Sequence, residues 1–227
     1  MEDLALTSNN ETVAFDIEGT LTTGTAWEGV REYLIEKGEE DKFKAFQKSM
    51  TPRYLLYRLK LGDRQAFKED WVAGVLRLLA GRSSEELHDL GRRLVDRDLW
   101  QKRREDVLAE LQGHKEARRQ IVLVSGQFQP FLDAFVERAG ADVGIGTPGV
   151  WQDGRFSGEL AAPFTVGQRK ADLLSEALNG RPLHAAYGDT GPDVPMLAMS
   201  EHPTAVYPDK ELLREARSRG WRVIGIQ

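Results

Sequence analysis

Short apolar runs and helical periodicities divide the chain into three zones. Residues 12–15 form an apolar run that predicts a buried strand ending at Asp16. From about Trp27 to Trp100, apolar residues recur at helical spacing, which predicts an all-helical zone of four or five helices. From Glu105 onward helical and strand patterns alternate, and this third zone predicts a mostly parallel sheet with strands near residues 121–124, 142–145, 184–187, 204–206 and 222–226.

Breaker and capping residues refine these zones. Ser83 with acidic residues behind it predicts a helix N-cap, and Asp153-Gly154 between apolar residues predicts a β-hairpin turn. The predicted fold class is therefore α/β, with a parallel sheet core, an inserted all-helical domain and a small β-hairpin. Within the helical zone, helix ends are expected at Gly38, Pro52, Gly62-Asp63 and Gly81.

Composition excludes several classes of protein. The 227 residues suit one domain with a large insertion or two modest domains, and the net charge of -5 argues against nucleic acid as an obligatory partner. The absence of cysteine excludes disulfides and thiolate metal sites. No apolar stretch approaches the roughly 18 residues of a membrane span, and Met1–Leu4 lack a basic signal segment. We expect a cytoplasmic protein without a membrane partner, and the sequence leaves its oligomeric state open.

Two carboxylates follow the first predicted strand. Asp16, at the strand end before a glycine-containing turn, could attack phosphorus and bind a hard cation such as Mg²⁺. Glu18 lies on the same side if the backbone stays extended, so it could protonate a leaving alcohol and then activate water. The ordinary alternatives are a turn-capping aspartate and a loop glutamate.

Further polar residues follow later strands or begin helices. Ser125-Gly126 offers a hydroxyl and a close amide to an anion, and Lys170, near the start of a helix expected from Val166, offers an ammonium. Asp189 and Asp193 are further hard oxygen ligands. The ordinary alternative for Ser125-Gly126 is a turn, and the ordinary alternative for Lys170 is a solvated side chain on a helix. Because parallel strands end at one edge of a sheet, the whole set predicts phosphoryl transfer through an aspartyl-phosphate.

The order of these residues resembles the four motifs of the haloacid dehalogenase superfamily. The matching segments are Asp16-Ile-Glu-Gly-Thr-Leu21, Ser125, Lys170 and Gly188-Asp-Thr-Gly-Pro-Asp193. The helical insert is similar to the cap of the phosphoserine phosphatase-like branch, subfamily IB, as are residues 153–158 and 205–209. This resemblance implies a Rossmann-like core domain of residues 1–23 and 101–227, with a helical cap domain of residues 24–100.

The resemblance also implies a role for each residue. Asp16 would be the nucleophile, and Mg²⁺ would be held by the Asp16 carboxylate, the Glu18 carbonyl and Asp189, with support from Asp193. The phosphoryl group would be bound by Ser125, Gly126 and Lys170. Glu18 departs from the aspartate that most phosphatases of the superfamily carry, and its extra methylene could move the proton donor by about an ångström. Dehalogenases of the superfamily lack an acid at that position and need no metal, so dehalogenation is not expected.

The predicted function is a Mg²⁺-dependent phosphatase acting on a small phosphomonoester. A phosphotransferase using the same intermediate and a non-catalytic module that binds a phosphorylated ligand remain alternatives. The choice of substrate is expected to lie in the cap, and phosphoserine is only one candidate. Residues that could line the opening are Trp27, Arg31, Arg53, Tyr54 and Tyr57, although helix packing is the ordinary role for Trp27 and Tyr54, and solvation for Arg31. Gln127 and Phe128 lie near Ser125 without an assigned role.

Overall fold

A computed structural model describes residues 11–59, 61 and 63–225, with the backbone alone for residues 28, 64 and 65. Its strands are β1 (Thr12–Phe15), β2 (Gln120–Phe128), β3 (Val143–Thr147), β4 (Gly149–Gln152), β5 (Arg155–Leu160), β6 (Leu183–Gly188), β7 (Ser200–Val206) and β8 (Arg222–Ile224). Its α-helices are α1 (Trp27–Glu36), α2 (Glu40–Arg58), α3 (Arg64–Arg77), α4 (Ser84–Leu94), α5 (Glu105–Glu116), α6 (Gln129–Ala139), α7 (Gln168–Leu178), α8 (Val194–Leu197) and α9 (Lys210–Arg219).

Six of the described strands form one sheet in the order β3-β2-β1-β6-β7-β8, and every pairing within it is parallel. On one face of β1, Val13 and Phe15 pack in a cluster with residues of α5 and α6, and on the other face Ala14 packs with residues of α7 and α9. Burial on both faces explains why continuous apolar runs marked these strands. The predicted α/β class, with its parallel core and helical insertion, is confirmed.

The hairpin and one helix cap also follow the sequence. Strands β4 and β5 pair antiparallel around Asp153 and Gly154, whose φ angles of 50° and 73° suit a type I′ turn. At the start of α4 the Ser83 side chain accepts from the Glu86 amide, and the Glu86 side chain accepts from the Ser83 amide. This reciprocal pair satisfies two backbone donors that a helix start would leave open.

Several expected boundaries differ in the structure, and one of them is the start of β7, at Ser200 rather than near residue 204. Helix α2 continues through Pro52. Proline removes the N–H that the Lys48 carbonyl would accept, but Lys48 is exposed, so water can donate in its place. Helix α7 begins at Gln168 rather than near Val166. Strand β2 extends to Phe128 through an irregular pairing with β3, so Ser125 lies inside the strand rather than after it. Strand β8 ends at Ile224, before Gly225, and Gly62 and the last residue of the predicted final strand, Ile226, lie outside the described residues.

The helical insertion leaves and rejoins the sheet at neighbouring points. The Thr23 amide donates to the Lys102 carbonyl at 3.0 Å, where a π-helical turn (Val95–Leu99) and a 3₁₀ turn (Trp100–Lys102) end the insertion. Helix α4 packs closely on α6, because a Cβ added at Gly91 would lie 2.9 Å from the Pro130 carbonyl oxygen. Insertion helices share one apolar cluster with Phe128, Phe131 and Phe156. The domain boundaries at residues 23/24 and 100/101 stay a prediction.

Among the described residues, no helix combines the length and the apolar character that crossing a bilayer requires.

Candidate active site

The carboxyl ends of β1, β2 and β6 bring the polar residues of the motifs together. Asp16 follows β1, and its amide donates to the Tyr187 carbonyl of β6 at 2.9 Å. Ser125 lies in the neighbouring strand β2, and Asp189 follows β6 directly. All three side chains line one cavity of about 540 Å³ between the sheet and the insertion. The convergence expected from parallel strands therefore occurs at this edge.

Lys170 lies in the first turn of α7 and points into the sheet edge. Its Nζ donates to Asp16 Oδ1 and to Asp193 Oδ1, both at 2.7 Å, and the residue is 4% exposed. Burial acts against the charged ammonium, but the two carboxylates outweigh it and raise the pKa of Lys170 above its usual value. The lysine is therefore a buried cation fixed beside the proposed nucleophile rather than a solvated surface group.

Asp193 is held by both of its oxygens. Its Oδ1 accepts from Lys170, and its Oδ2 accepts from the amides of Asp189 and Thr190 at 3.2 and 3.1 Å and from the Thr190 hydroxyl at 3.1 Å. A 3₁₀ turn (Gly191–Asp193) brings this carboxylate back under the end of β6. Because these contacts engage both oxygens, the geometry favours a supporting role for Asp193 over direct coordination of a metal.

Gly19 allows the loop after β1 to pass close to Asp189. Its φ angle is +98°, and a Cβ there would lie 2.8 Å from Asp189 Oδ1 and closer still to Oδ2. Arg104 Nε donates to the Gly19 carbonyl at 3.0 Å, and the Thr20 hydroxyl donates to Asp189 Oδ1 at 3.4 Å. Glycine is required here both for the backbone conformation and for the space that the carboxylate occupies.

Asp16 and Asp189, with Asp193 in support, form a donor set that fits a hard divalent cation. Oxygens of Asp16, Asp189 and Asp193 lie within 4.8 Å of one another, and Lys170 is the cation that contacts Asp16 and Asp193. Burial raises the pKa of Asp189 to about 8, with repulsion from the other two carboxylates, and burial also raises the pKa of Asp16. Such an excess of buried negative charge favours Mg²⁺, which prefers oxygen ligands.

Glu18 lies beside these carboxylates, and hydrogen bonds hold its side chain. Its Oε1 accepts from Gln127 Nε2 at 3.0 Å. Burial raises the pKa of Glu18 to about 7, and the Gln127 hydrogen bond opposes that shift. A carboxyl group that titrates near neutrality can both donate and accept a proton under ordinary conditions.

Gln127 is the site residue whose role sequence reasoning missed. It is buried, and β2 carries it past Ser125 onto the same face, since alternate residues of a strand share a face. Its spacing of two from Ser125 was the available signal, but the strand was expected to end before it. Ser125 Oγ accepts from the backbone N–H of Gln127 at 3.3 Å. Gly126 is fixed behind them, because its carbonyl accepts from the Thr147 hydroxyl at 2.9 Å.

The cap side of the cavity includes part of the predicted lining. Trp27, Tyr54 and Tyr57 line it, and so do Phe67 and Trp71 of α3, for which helical spacing alone indicated no role at the cavity. Two of the expected residues lie elsewhere and pair with acids: Arg31 with Glu40 at 3.8 Å, and Arg53 with Asp70. Phe128 packs against Phe131 and Phe156.

Parallel strand order, ligand groups at the carboxyl edge and a helical insertion after the first strand define a Rossmann-like α/β protein. The chain belongs to the haloacid dehalogenase-like hydrolase family, whose sequence profile matches residues 13–198. The resemblance drawn from the four motifs is thus confirmed.

Known proteins that resemble the chain include two relatives and a solved structure. A probable phosphatase of Mycobacterium tuberculosis is 33% identical over 145 residues, 62% of this chain and 47% of that protein. A histidinol-phosphatase of Neisseria meningitidis is 26% identical over 221 residues, 94% of this chain and 97% of that protein. Phosphoserine phosphatase in its apo form has a TM-score of 0.60 at 16% identity, covering 95% of this chain and 94% of that one, which confirms the fold. The chain spans about half the length of the relatives it matches at about one-third identity.

Proposed function

We propose that the protein is a Mg²⁺-dependent phosphatase that hydrolyses a small phosphomonoester through an aspartyl-phosphate at Asp16. The observation that carries this proposal is that one cavity contains both Asp16, a carboxylate held by Lys170, and Glu18, a half-buried carboxyl group with a pKa of about 7. The first can act as nucleophile and the second as acid and base. Phosphatases among the relatives, including one that matches almost the whole chain, support the same class of reaction.

The reaction proceeds in two displacements. An Asp16 carboxylate oxygen attacks phosphorus, the bond from phosphorus to the alcohol oxygen breaks, and Glu18 gives its proton to that oxygen. Water then attacks the phosphorus of the acyl phosphate while the Glu18 carboxylate takes a proton from it. The Asp16 oxygen leaves, inorganic phosphate is released, and both carboxyl groups return to their starting states.

The other polar residues hold charge and position. Lys170 fixes the Asp16 carboxylate at 2.7 Å and offsets charge on the phosphoryl oxygens, which the Ser125 hydroxyl and the Gly126 amide also bind. Mg²⁺ would be held by Asp16, the Glu18 carbonyl and Asp189, and when bound it supplies neutralisation of charge on the phosphoryl group. Asp193 orients Lys170 and the turn after β6. These roles, and the cap and core domains with boundaries at residues 24 and 100, belong to the proposal.

Phosphate release from a panel of phosphomonoesters, with and without Mg²⁺, tests the function. Native protein should turn over at least one ester only with Mg²⁺, and Asp16→Asn should abolish that turnover. The matched control is Asp172→Asn, an exposed aspartate on the same helix as Lys170, which should keep native rates. Turnover that survives in Asp16→Asn contradicts the aspartyl-phosphate. Product diverted from phosphate to an added alcohol identifies a phosphotransferase, and ligand binding without turnover identifies a binding module.

A further inference from the structure

The cap side of the active-site cavity is a continuous aromatic surface. Tyr57 and Phe67 stack with ring centroids 4.7 Å apart and planes 24° apart. Tyr54 extends this pair at 6.4 Å from Tyr57, and Trp71 extends it at 6.3 Å from Phe67. All four side chains line the cavity that contains Asp16. We call them the aromatic wall.

The aromatic wall follows from helical spacing on two adjacent helices. Tyr54 and Tyr57 are three residues apart on α2, and Phe67 and Trp71 are four apart on α3, so each pair shares one helix face. Phe46 packs behind the wall at 5.1 Å from Trp71. Tyr54 is 46% exposed, and the other three residues are half-buried. Part of the surface of these side chains therefore lies outside the core of the insertion. Apolar surface left open beside a polar site is a common feature of ligand pockets.

The two ends of the cavity therefore differ in chemistry. The core end carries Asp16, Lys170 and Asp189, whereas the cap end carries aromatic rings, and Phe164 and Val166 contribute further apolar surface from the loop before α7. The volume of about 540 Å³ falls in the range of about 300–1,000 Å³ typical of sites for drug-sized ligands. A ligand that fills both ends carries a phosphate at one end and a sizeable apolar group at the other.

We propose that the substrate is the phosphomonoester of an alcohol carrying a flat aromatic or heteroaromatic ring, and that this ring packs against the aromatic wall. This inference rests on the proposed function, because it names the leaving group of that reaction. Rings in such contact favour offset or edge-to-face packing, which adds selectivity beyond apolar burial alone.

Charged residues also lie near the aromatic wall, and they indicate an alternative substrate. Lys68 and Glu69 line the same cavity and could pair with the carboxylate and ammonium of a phosphorylated amino acid such as phosphoserine. Lys68 is exposed, so its ion pairs are weakened by solvent. The partly buried aromatic surface is larger than this charged surface and therefore favours a substrate that carries a ring. A preference for phosphoserine would overturn the proposal.

Esters of matched alcohols test the proposal. We expect kcat/KM for 2-phenylethyl phosphate to exceed that for ethyl phosphate by at least about tenfold, from burial of the ring. It should exceed that for 2-cyclohexylethyl phosphate by about 2- to 10-fold, from aromatic packing. Equal values for the phenyl and cyclohexyl esters, or a preference for phosphoserine over both, would overturn the proposal.

Variants of the wall link the preference to its residues. Tyr57→Leu and Phe67→Leu should each lower the ratio of kcat/KM for the phenyl ester to that for the cyclohexyl ester by about 2- to 10-fold. Trp151→Leu, which removes a 38% exposed aromatic ring outside the cavity, should leave that ratio unchanged. Circular dichroism confirms that each variant is folded, and the second wall variant replaces the first if one does not fold. A ratio unchanged in the folded wall variants contradicts the proposal.

A binding measurement separates this inference from the proposed function. In 3-phenylpropylphosphonate a methylene replaces the ester oxygen, so the compound binds without being hydrolysed. Calorimetry with Mg²⁺ should give at least about tenfold tighter binding of this compound than of propylphosphonate. No turnover of any ester together with this selectivity refutes the phosphatase but keeps the aromatic site. Mg²⁺-dependent turnover without the selectivity refutes the aromatic site but keeps the phosphatase.

Discussion

Substitution of Gly19 by alanine is expected to damage the proposed Mg²⁺ site while leaving the fold intact. The new Cβ would occupy the space of the Asp189 carboxylate, which must then leave its present position. The φ angle of +98° adds a backbone cost of about 1 to 2 kcal/mol for an L-residue. Gly38→Ala is the matched control, since its φ is +71° and a Cβ there meets nothing within 4 Å.

The two variants should separate strain from displacement. For a protein of this size a loss of 1 to 2 kcal/mol lowers Tm by about 2 to 8 °C, and we expect Gly38→Ala to show that shift with native turnover. Gly19→Ala should also bind Mg²⁺ about 10- to 100-fold more weakly by calorimetry and lose about 100-fold in kcat/KM. Native Mg²⁺ affinity in folded Gly19→Ala would refute the reasoning, because it would mean that Asp189 need not keep its place.

Three further perturbations have defined outcomes. Lys170→Met leaves Asp16 without its buried cation and should lower kcat/KM at least about 100-fold, whereas a small decrease would show that the lysine is not needed. Gln127→Leu removes a donor that opposes the raised pKa of Glu18, so the fall in kcat with rising pH, expected near 7, should move to higher pH; an unmoved profile contradicts this. Burial lowers the pKa of His114, so stability against urea should fall as pH drops below about 6.5, and His114→Gln should flatten that fall.

Much of the sheet could be predicted because its central strands, β1 and β2, are buried on both faces. The runs at residues 12–15 and 121–124 contain no charged residue, and such runs are distinctive in a sequence that is 30% charged. Boundaries were less predictable. Pro52 is a strong breaker in isolation, but an exposed helix face lets solvent replace the hydrogen bond that proline removes. The extension of β2 to Phe128 depends on irregular pairing with β3, which local sequence does not encode.

The positions of some site residues could be predicted from the strands that they follow, whereas the positions of others depend on tertiary contacts that the sequence does not show. Asp16, Asp189 and Asp193 follow predicted strands, so the topology of a parallel sheet was enough to predict that they converge. Lysines on helices are usually solvated, and only the fold brings Lys170 within 2.7 Å of two carboxylates. Arg31 and Tyr54 looked similar as cap residues, but the helix faces separate them: the arginine pairs with Glu40 on the outside, whereas the tyrosine lines the cavity.

The packing of α4 on α6 fixes one part of the insertion to the sheet layer. Gly91 lets α4 pack against Pro130 of α6, and residues of α4 share one apolar cluster with Phe131 of α6. The aromatic wall instead sits on α2 and α3. Amino-acid changes that alter substrate choice are therefore expected to accumulate at the positions of α2 and α3 that line the cavity, because substitutions there spare the residues through which α4 packs on α6.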